Sequence, residues 1–307
     1  MRVAQAERVF SSGAAPARPA VAPVAALAAR RSALGRLLRD HLALVGLALL
    51  VVFGAAALLA PLLTPYDPAA TTPSLRLAGP SPQHPLGTDN LGRDTLSRLL
   101  FGSRWSLGTA ALATALIMTI GLAVGSLAGY YGGRLDDVVV LVVDVLLAFP
   151  SLVLALAIVG TLGPGIVNVM LGLVSVWWVG YARIVRGLVL ATRERQFVEA
   201  ARCLGARDRR LIVRHILPNV LPHVVVLATL EMGGLILGIS GLSFLGLGAQ
   251  PPTPEWGAML NDGRAFLFSA PQLMLYPGLA ISLVVIGFNL LGDGLRDVLD
   301  PRFAHRR

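Results

Sequence analysis

Apolar residues in this chain gather into six long runs, separated by polar, proline-rich or arginine-rich intervals. The runs are Leu42 to Leu63, Trp105 to Tyr130, Val138 to Val159, Ile166 to Val189, His223 to Leu242 and Leu273 to Leu291. Each reaches roughly the 20 residues that a helix needs to cross a bilayer. Hydrocarbon offers backbone N–H and C=O groups no partners except one another, so such runs are read as helices. The expectation is an all-α membrane protein with about six transmembrane helices.

Residues inside the runs predict local features. Pro61 and Pro65 are expected to end the first span, and Pro150 predicts a kink near Phe149 in the third. Gly121, Gly125 and Gly129 recur every fourth residue, which stacks them on one helix face and favours a close helix–helix seam. Gly132 to Asp137 reads as a short turn, and Gly163-Pro164-Gly165 as a tight one.

The polar intervals differ in kind. The first 30 or so residues are rich in Ala, Pro and Arg; the apolar patch Val21 to Ala29 is broken by Pro23 and followed by Arg30 and Arg31. That is too short and interrupted for a signal segment and reads as a disordered tail. Leu34, Leu37 and Leu38, set among Arg36 and Arg39, fit either a surface amphipathic helix or the start of the first span. The interval up to Arg104 holds six prolines between Pro65 and Pro85. Near its end, Asp94 and Arg98 are spaced i, i+4 and fit an exposed ion pair worth about 0.3–0.5 kcal/mol.

The interval from Arg193 to Pro218 is arginine-rich, with Arg193, Arg195, Arg202, Arg207, Arg209, Arg210 and Arg214. Phe197, Ala200, Ala201 and Leu204 fall at i, i+3, i+4 and i+7, one apolar stripe of a helix outside the bilayer. Gly205 is placed to end that helix, Asp208 to cap a second one, and Pro218 to end it. Two short helices at an angle make a knob for a soluble partner; a basic helix resting on anionic lipid is the other reading of the same residues.

Composition agrees with the runs. The 307 residues are 55% hydrophobic and 14% charged, against about 25% charged for a soluble domain. The net charge of +9 sits in loops between spans, which argues against nucleic acid as a partner. With six spans, 21 arginines fall on the side of both termini and 5 on the other, which puts both termini in the cytoplasm. All 26 basic residues are Arg. A phosphate-binding P-loop needs a Lys, so no Walker-type ATP site is expected and no enzyme activity with it. One cysteine, Cys203, and no His-Glu-x-x-His pattern give no metal site and no intrachain disulfide. Two acids lie within the spans: Asp144, read as an interfacial hydrogen-bonded group rather than a proton relay, and Glu231, which either lines a translocation path or is satisfied by a neighbouring helix.

Glu199-Ala200-Ala201, three residues, then Gly205, with Leu217-Pro218 downstream, resembles the coupling loop of permease subunits of ATP-binding cassette importers. Family members often have Ile two residues before that Leu-Pro; here His215 stands there, beside Ile216. The strings His84 to Arg98, Leu242 to Gly248 and Pro251 to Gly257 resemble the peptide/nickel subfamily, second-permease type. The resemblance covers about residues 30 to 300. It implies a type I importer transmembrane fold, with 1–40 a cytoplasmic tail, 41–104 the first helix and an extracytoplasmic segment, 105–297 the transmembrane domain with coupling loop 193–218, and 298–307 a cytoplasmic tail.

The same resemblance implies a multi-pass protein of the bacterial inner membrane. Its partners would be a second homologous permease, two ATPase subunits that carry ATP and Mg, and an extracytoplasmic solute-binding protein. This chain would bind no cofactor. Phe197, Glu199, Ala200, Ala201, Leu204 and Gly205 would form the ATPase contact, with Asp144 and Glu231 as candidates for the translocation path. The cargo would be a di- or oligopeptide, or else a metal chelate such as nickel. A self-contained secondary transporter is the rival; its ion-coupling residues would have to come from Asp144 and Glu231.

Overall fold

The computed structural model describes Gly35 and residues 37–299. The N-terminal tail, the beginning of the surface helix predicted around Leu34, and Arg302, Arg306 and Arg307 lie outside the described residues. Among the described residues, besides short 3-10 turns, the helices are α1 (His41–Leu63), α2 (Thr95–Tyr131), α3 (Gly133–Leu147), α4 (Ser151–Leu162), α5 (Ile166–Arg193), α6 (Gln196–Cys203), α7 (Asp208–Phe244), α8 (Trp256–Gly263) and α9 (Gln272–Leu299). Among the described residues there is no strand, and the single β-type pairing is the bridge between Thr88 and Asp94.

Five helices, α1, α2, α5, α7 and α9, are each long and apolar enough to cross a membrane. The predicted third span is two shorter helices, α3 and α4, meeting at 87°. Pro150 causes the break, because it lacks an N–H and forces the preceding residue away from helical geometry; its own backbone is extended, at φ −57° and ψ 118°. The bent pair still joins opposite ends of the bundle. It starts beside Gly129 and Tyr130, whose carbonyls accept from Arg193 at 3.0 and 3.1 Å. It finishes at the Gly163–Gly165 turn, where the Gly165 N–H donates to Leu247 at 2.8 Å. Counting the pair as one crossing gives six.

Helix α2 begins ten residues before the predicted span, because Asp94 caps it by accepting from the Ser97 N–H at 2.7 Å. The glycine seam forms as expected, between α2 and α5. A β-carbon on Gly121 would lie 2.6 Å from that of Tyr181, and one on Gly125 would lie 2.5 Å from the Ala182 carbonyl oxygen. At that approach the two backbones touch, and dispersion holds them without any polar contact. Around this pair the core gathers Ile117, Leu173, Leu235, Ile239, Leu242 and Trp256, all buried. Helix α1 runs along α9 at the periphery and leaves Leu58 and Leu62 each 82% exposed, side chains suited to lipid. Pro61 lies within its last turn, and the helix closes at Thr64.

The predicted end at Pro218 does not occur. Helix α7 runs on through Pro218 and Pro222 to Phe244, and its segment Leu211–Ile216 is a π-helix. The wider π-turn resets the hydrogen-bond ladder, so that Pro218 occupies the first turn of the α-helical part, where a missing N–H costs nothing. The loop helix and the fifth span are thereby one continuous rod.

Candidate functional site

Helix α6 lies at the end of the bundle shared by the close of α2, the close of α5 and the start of α7. Gly205 ends it at φ +82°, and the closure is a Schellman pair: the Gly205 N–H donates to Arg202 at 2.9 Å and the Ala206 N–H to Ala201 at 3.1 Å. This much follows the sequence. Asp208 does not cap the following helix, because its carboxylate accepts the Tyr130 hydroxyl at 2.7 Å instead. That bond ties the foot of α7 to the end of α2.

The predicted stripe splits. Ala201 turns inward, and with Ala206 it packs against a buried cluster of Tyr130, Val185, Val189, Val198, Leu211 and Ile216. Phe197, at 41% exposure, and Leu204, at 89%, point away from the protein, as do Glu199 and Ala200. The anchor is Val198, fully buried, which lies outside the predicted stripe. Its i, i+3 spacing to Ala201 is the signal that was available. An eight-residue helix held by one face thus displays a second apolar edge, ringed by the exposed Arg195, Arg202, Arg207, Arg209 and Arg210. Exposed apolar side chains rimmed by charge are of the kind that meet another protein or a membrane surface.

Asp144 and Glu231 are not brought together. Asp144 on α3 pairs with Arg183 on α5, and one helical stretch away Asp136 pairs with Arg186, its Oδ2 2.6 Å from Nη2. These arginines brace α3 against α5, since a carboxylate on the neighbouring helix satisfies each directly. Glu231 on α7 opens into a cleft of about 270 Å³ that also has Leu146, Ser151, Trp177, Tyr181 and Leu227 in its walls.

At the opposite end of the bundle the predicted Asp94–Arg98 pair is absent. Asp94, spent on the α2 cap, meets His84 at 2.9 Å. Arg98 is 2% exposed and lies 3.4 Å from both Asp89 and Asp262. Arg93 reaches the same two carboxylates at 2.6 and 3.1 Å. Beside them Glu255, fully buried, caps α8 through the Gly257 and Ala258 N–H groups at 3.0 and 2.9 Å, and accepts from Ser106 of α2 at 3.1 Å. Spacing along the chain could not bring Asp89 and Asp262, which are far apart in sequence, to the same two arginines.

This arrangement agrees with what the chain resembles. Residues 121–305 match the family described as binding-protein-dependent transport system inner membrane component, and residues 30–80 match the N-terminal TM domain of oligopeptide transport permease C. The dipeptide transport system permease protein DppC of Alkalihalophilus pseudofirmus is 46% identical over 272 residues, 89% of this chain and 90% of that protein. The nickel transport system permease protein NikC of Escherichia coli K12 is 45% identical, over 86% of this chain and 94% of its own length. The glutathione transport system permease protein GsiD of Pectobacterium atrosepticum is 44% identical, over 87% and 89%. Among solved structures, the MetNI methionine ABC transporter in inward-facing conformations shares the fold, with a TM-score of 0.54 at 20% identity, over 67% of this chain and 98% of that one. The chain belongs to the inner membrane component family of binding-protein-dependent transport systems, and it is the multi-pass permease subunit of an ATP-binding cassette importer.

Proposed function

We propose that this permease carries di- or oligopeptides, and that α6 is the coupling helix through which cytoplasmic ATPase subunits drive it. Two of the three relatives above are named for the transport of peptides, a dipeptide and the tripeptide glutathione. The relative named for nickel supports a second reading, a metal chelate as cargo. Under either reading the chain works in the bacterial inner membrane with both termini in the cytoplasm, beside a second homologous permease. ATP and Mg belong to two partner ATPase subunits, and an extracytoplasmic solute-binding protein delivers cargo. This chain binds no cofactor itself.

The observation that carries the coupling proposal is the split face of α6: Val198 buried, Phe197 and Leu204 exposed. Apolar side chains that no part of the chain covers are stabilised by a partner's groove. Because α6 packs through Val198 and Ala201 onto Tyr130 of α2, Val185 and Val189 of α5 and Leu211 of α7, a push on it reaches three spans. Glu199→Arg and Gly205→Val test this in the complex reconstituted with its ATPase subunits and solute-binding protein. A side chain at Gly205 meets no neighbour, so Val there acts through its backbone, at a cost of about 1–2 kcal/mol or a straightened turn. Both variants are expected to insert normally yet lose binding-protein-stimulated ATP hydrolysis and uptake. Stimulated hydrolysis near the parent rate in both, at normal expression, removes α6 from the coupling path. Sidedness has its own check: an impermeant maleimide is expected to label the exposed Cys203 in inverted vesicles and to miss it in intact cells.

A further inference from the structure

Glu231 has no hydrogen-bond or ion-pair partner among the described residues. It is exposed, on a span whose neighbours are almost all apolar. Such a carboxylate belongs against water or a cation, because hydrocarbon leaves its charge unsatisfied. The cleft it opens into holds a second unsatisfied oxygen. Tyr181 is 6% exposed, and its buried hydroxyl has no hydrogen-bond partner. Tyr181 lines the same cleft as Glu231. The indole of Trp177 forms another wall, set against α7 at Gly238. The Glu231 carboxylate, the Tyr181 side chain and the Trp177 indole thus line one cleft, at the break between α3 and α4 where Ser151 also lines the wall.

We propose that Glu231 and Tyr181 form an ammonium-binding subsite, which takes the free α-amino group of a peptide during its passage. The inference rests on the permease reading and names what this cleft recognises. An ammonium group has three N–H donors and no acceptor. It matches one carboxylate, one hydroxyl oxygen and the face of an aromatic ring. A bare metal ion fits less well, since among the described residues no group of three or more His, Cys, Asp or Glu is placed to hold one. A single carboxylate binds an amine weakly enough to release it, which a translocation path requires.

The test uses the whole complex, this chain with its partner permease and ATPase subunits, in lipid nanodiscs without nucleotide or solute-binding protein. The probes are radiolabelled phenylalanyl-alanine and its N-acetyl derivative, which differ in the ammonium group, and equilibrium dialysis reads binding. The free amine is expected to bind about tenfold more tightly, the scale of one lost charge-assisted hydrogen bond. Glu231→Gln should abolish the preference, Glu231→Asp should keep part of it, and Tyr181→Phe should narrow it to about threefold. Equal affinity for both probes, no binding of either, or a preference that survives Glu231→Gln overturns the subsite; equal affinity would also mean that the partner permease satisfies the carboxylate. Should Glu231→Gln fail to assemble, the parent comparison and Tyr181→Phe decide. Failure of the permease reading shows separately, as no ATP-driven uptake by parent proteoliposomes.

Discussion

At the end of the bundle where α8 sits, Arg93 and Arg98 are each 2% exposed and each held by Asp89 and Asp262. At the opposite end, arginines at 195, 202, 207, 209 and 210 are exposed and Leu204 stands 89% clear of the protein. One end spends its charges inside the chain, and the other leaves them exposed. A buried network of this kind adds little net stability, but it fixes the relative positions of the elements that carry it, because breaking one partner strands the rest. The rim from His84 to Asp94 and helix α8 therefore move as one body. Helix α6 is held by apolar packing, Val198 and Ala201 against α2, α5 and α7, with no buried charge network like that of the rim among the described residues. The contrast is that of a rim locked by buried charge and a helix seated by apolar packing, joined by long helices.

Arg98→Met is expected to break the contrast most severely. It strands Asp89 and Asp262 beside a single arginine, and uncompensated buried charge costs about 3–5 kcal/mol. Thermal unfolding of the purified complex should show a large drop in midpoint, and an unchanged midpoint would mean that the rim is not a rigid unit. Gly125→Leu strikes the beam between the two ends. Its side chain would drive into the Ala182 carbonyl, and overpacking of this kind costs about 1–3 kcal/mol; the same melting curve reads it. Tyr130→Phe removes the bond to Asp208, about 0.5–1.5 kcal/mol. It sharpens the comparison, because stimulated ATP hydrolysis should fall further than stability does. Leu204→Asp should change stability by less than about 0.5 kcal/mol, as surface changes do, while copurification of the ATPase subunits is lost. A Leu204→Asp complex that keeps its ATPase subunits would assign the exposed face of α6 to lipid.

Much of the outline was legible in the chain because each feature is local. A run of about 20 apolar residues must be a helix in lipid, Gly205 must turn a helix at positive φ, and glycines four apart must share a face. The candidate site was legible in part, since the periodicity of Phe197 and Leu204 gave a helix but not which face is buried. That choice depended on Tyr130, Val185 and Leu211, which arrive from other helices.

What the sequence alone determined is therefore the set of spans, the seam at Gly121 to Gly129, and the end of α6 at Gly205. Tertiary structure decided three things. It merged the foot of the fifth span with the loop, because a π-turn relieved Pro218. It sent Arg98 to Asp89 and Asp262 in place of Asp94. It set Glu231 and Tyr181 on one cleft from two helices. In each case the partner is distant along the chain or the alternative geometry is local and rare. Pattern reading sees spacing; which long-range partner a polar group takes is fixed when packed helices bring one within 3–4 Å and exclude the water that would otherwise have served.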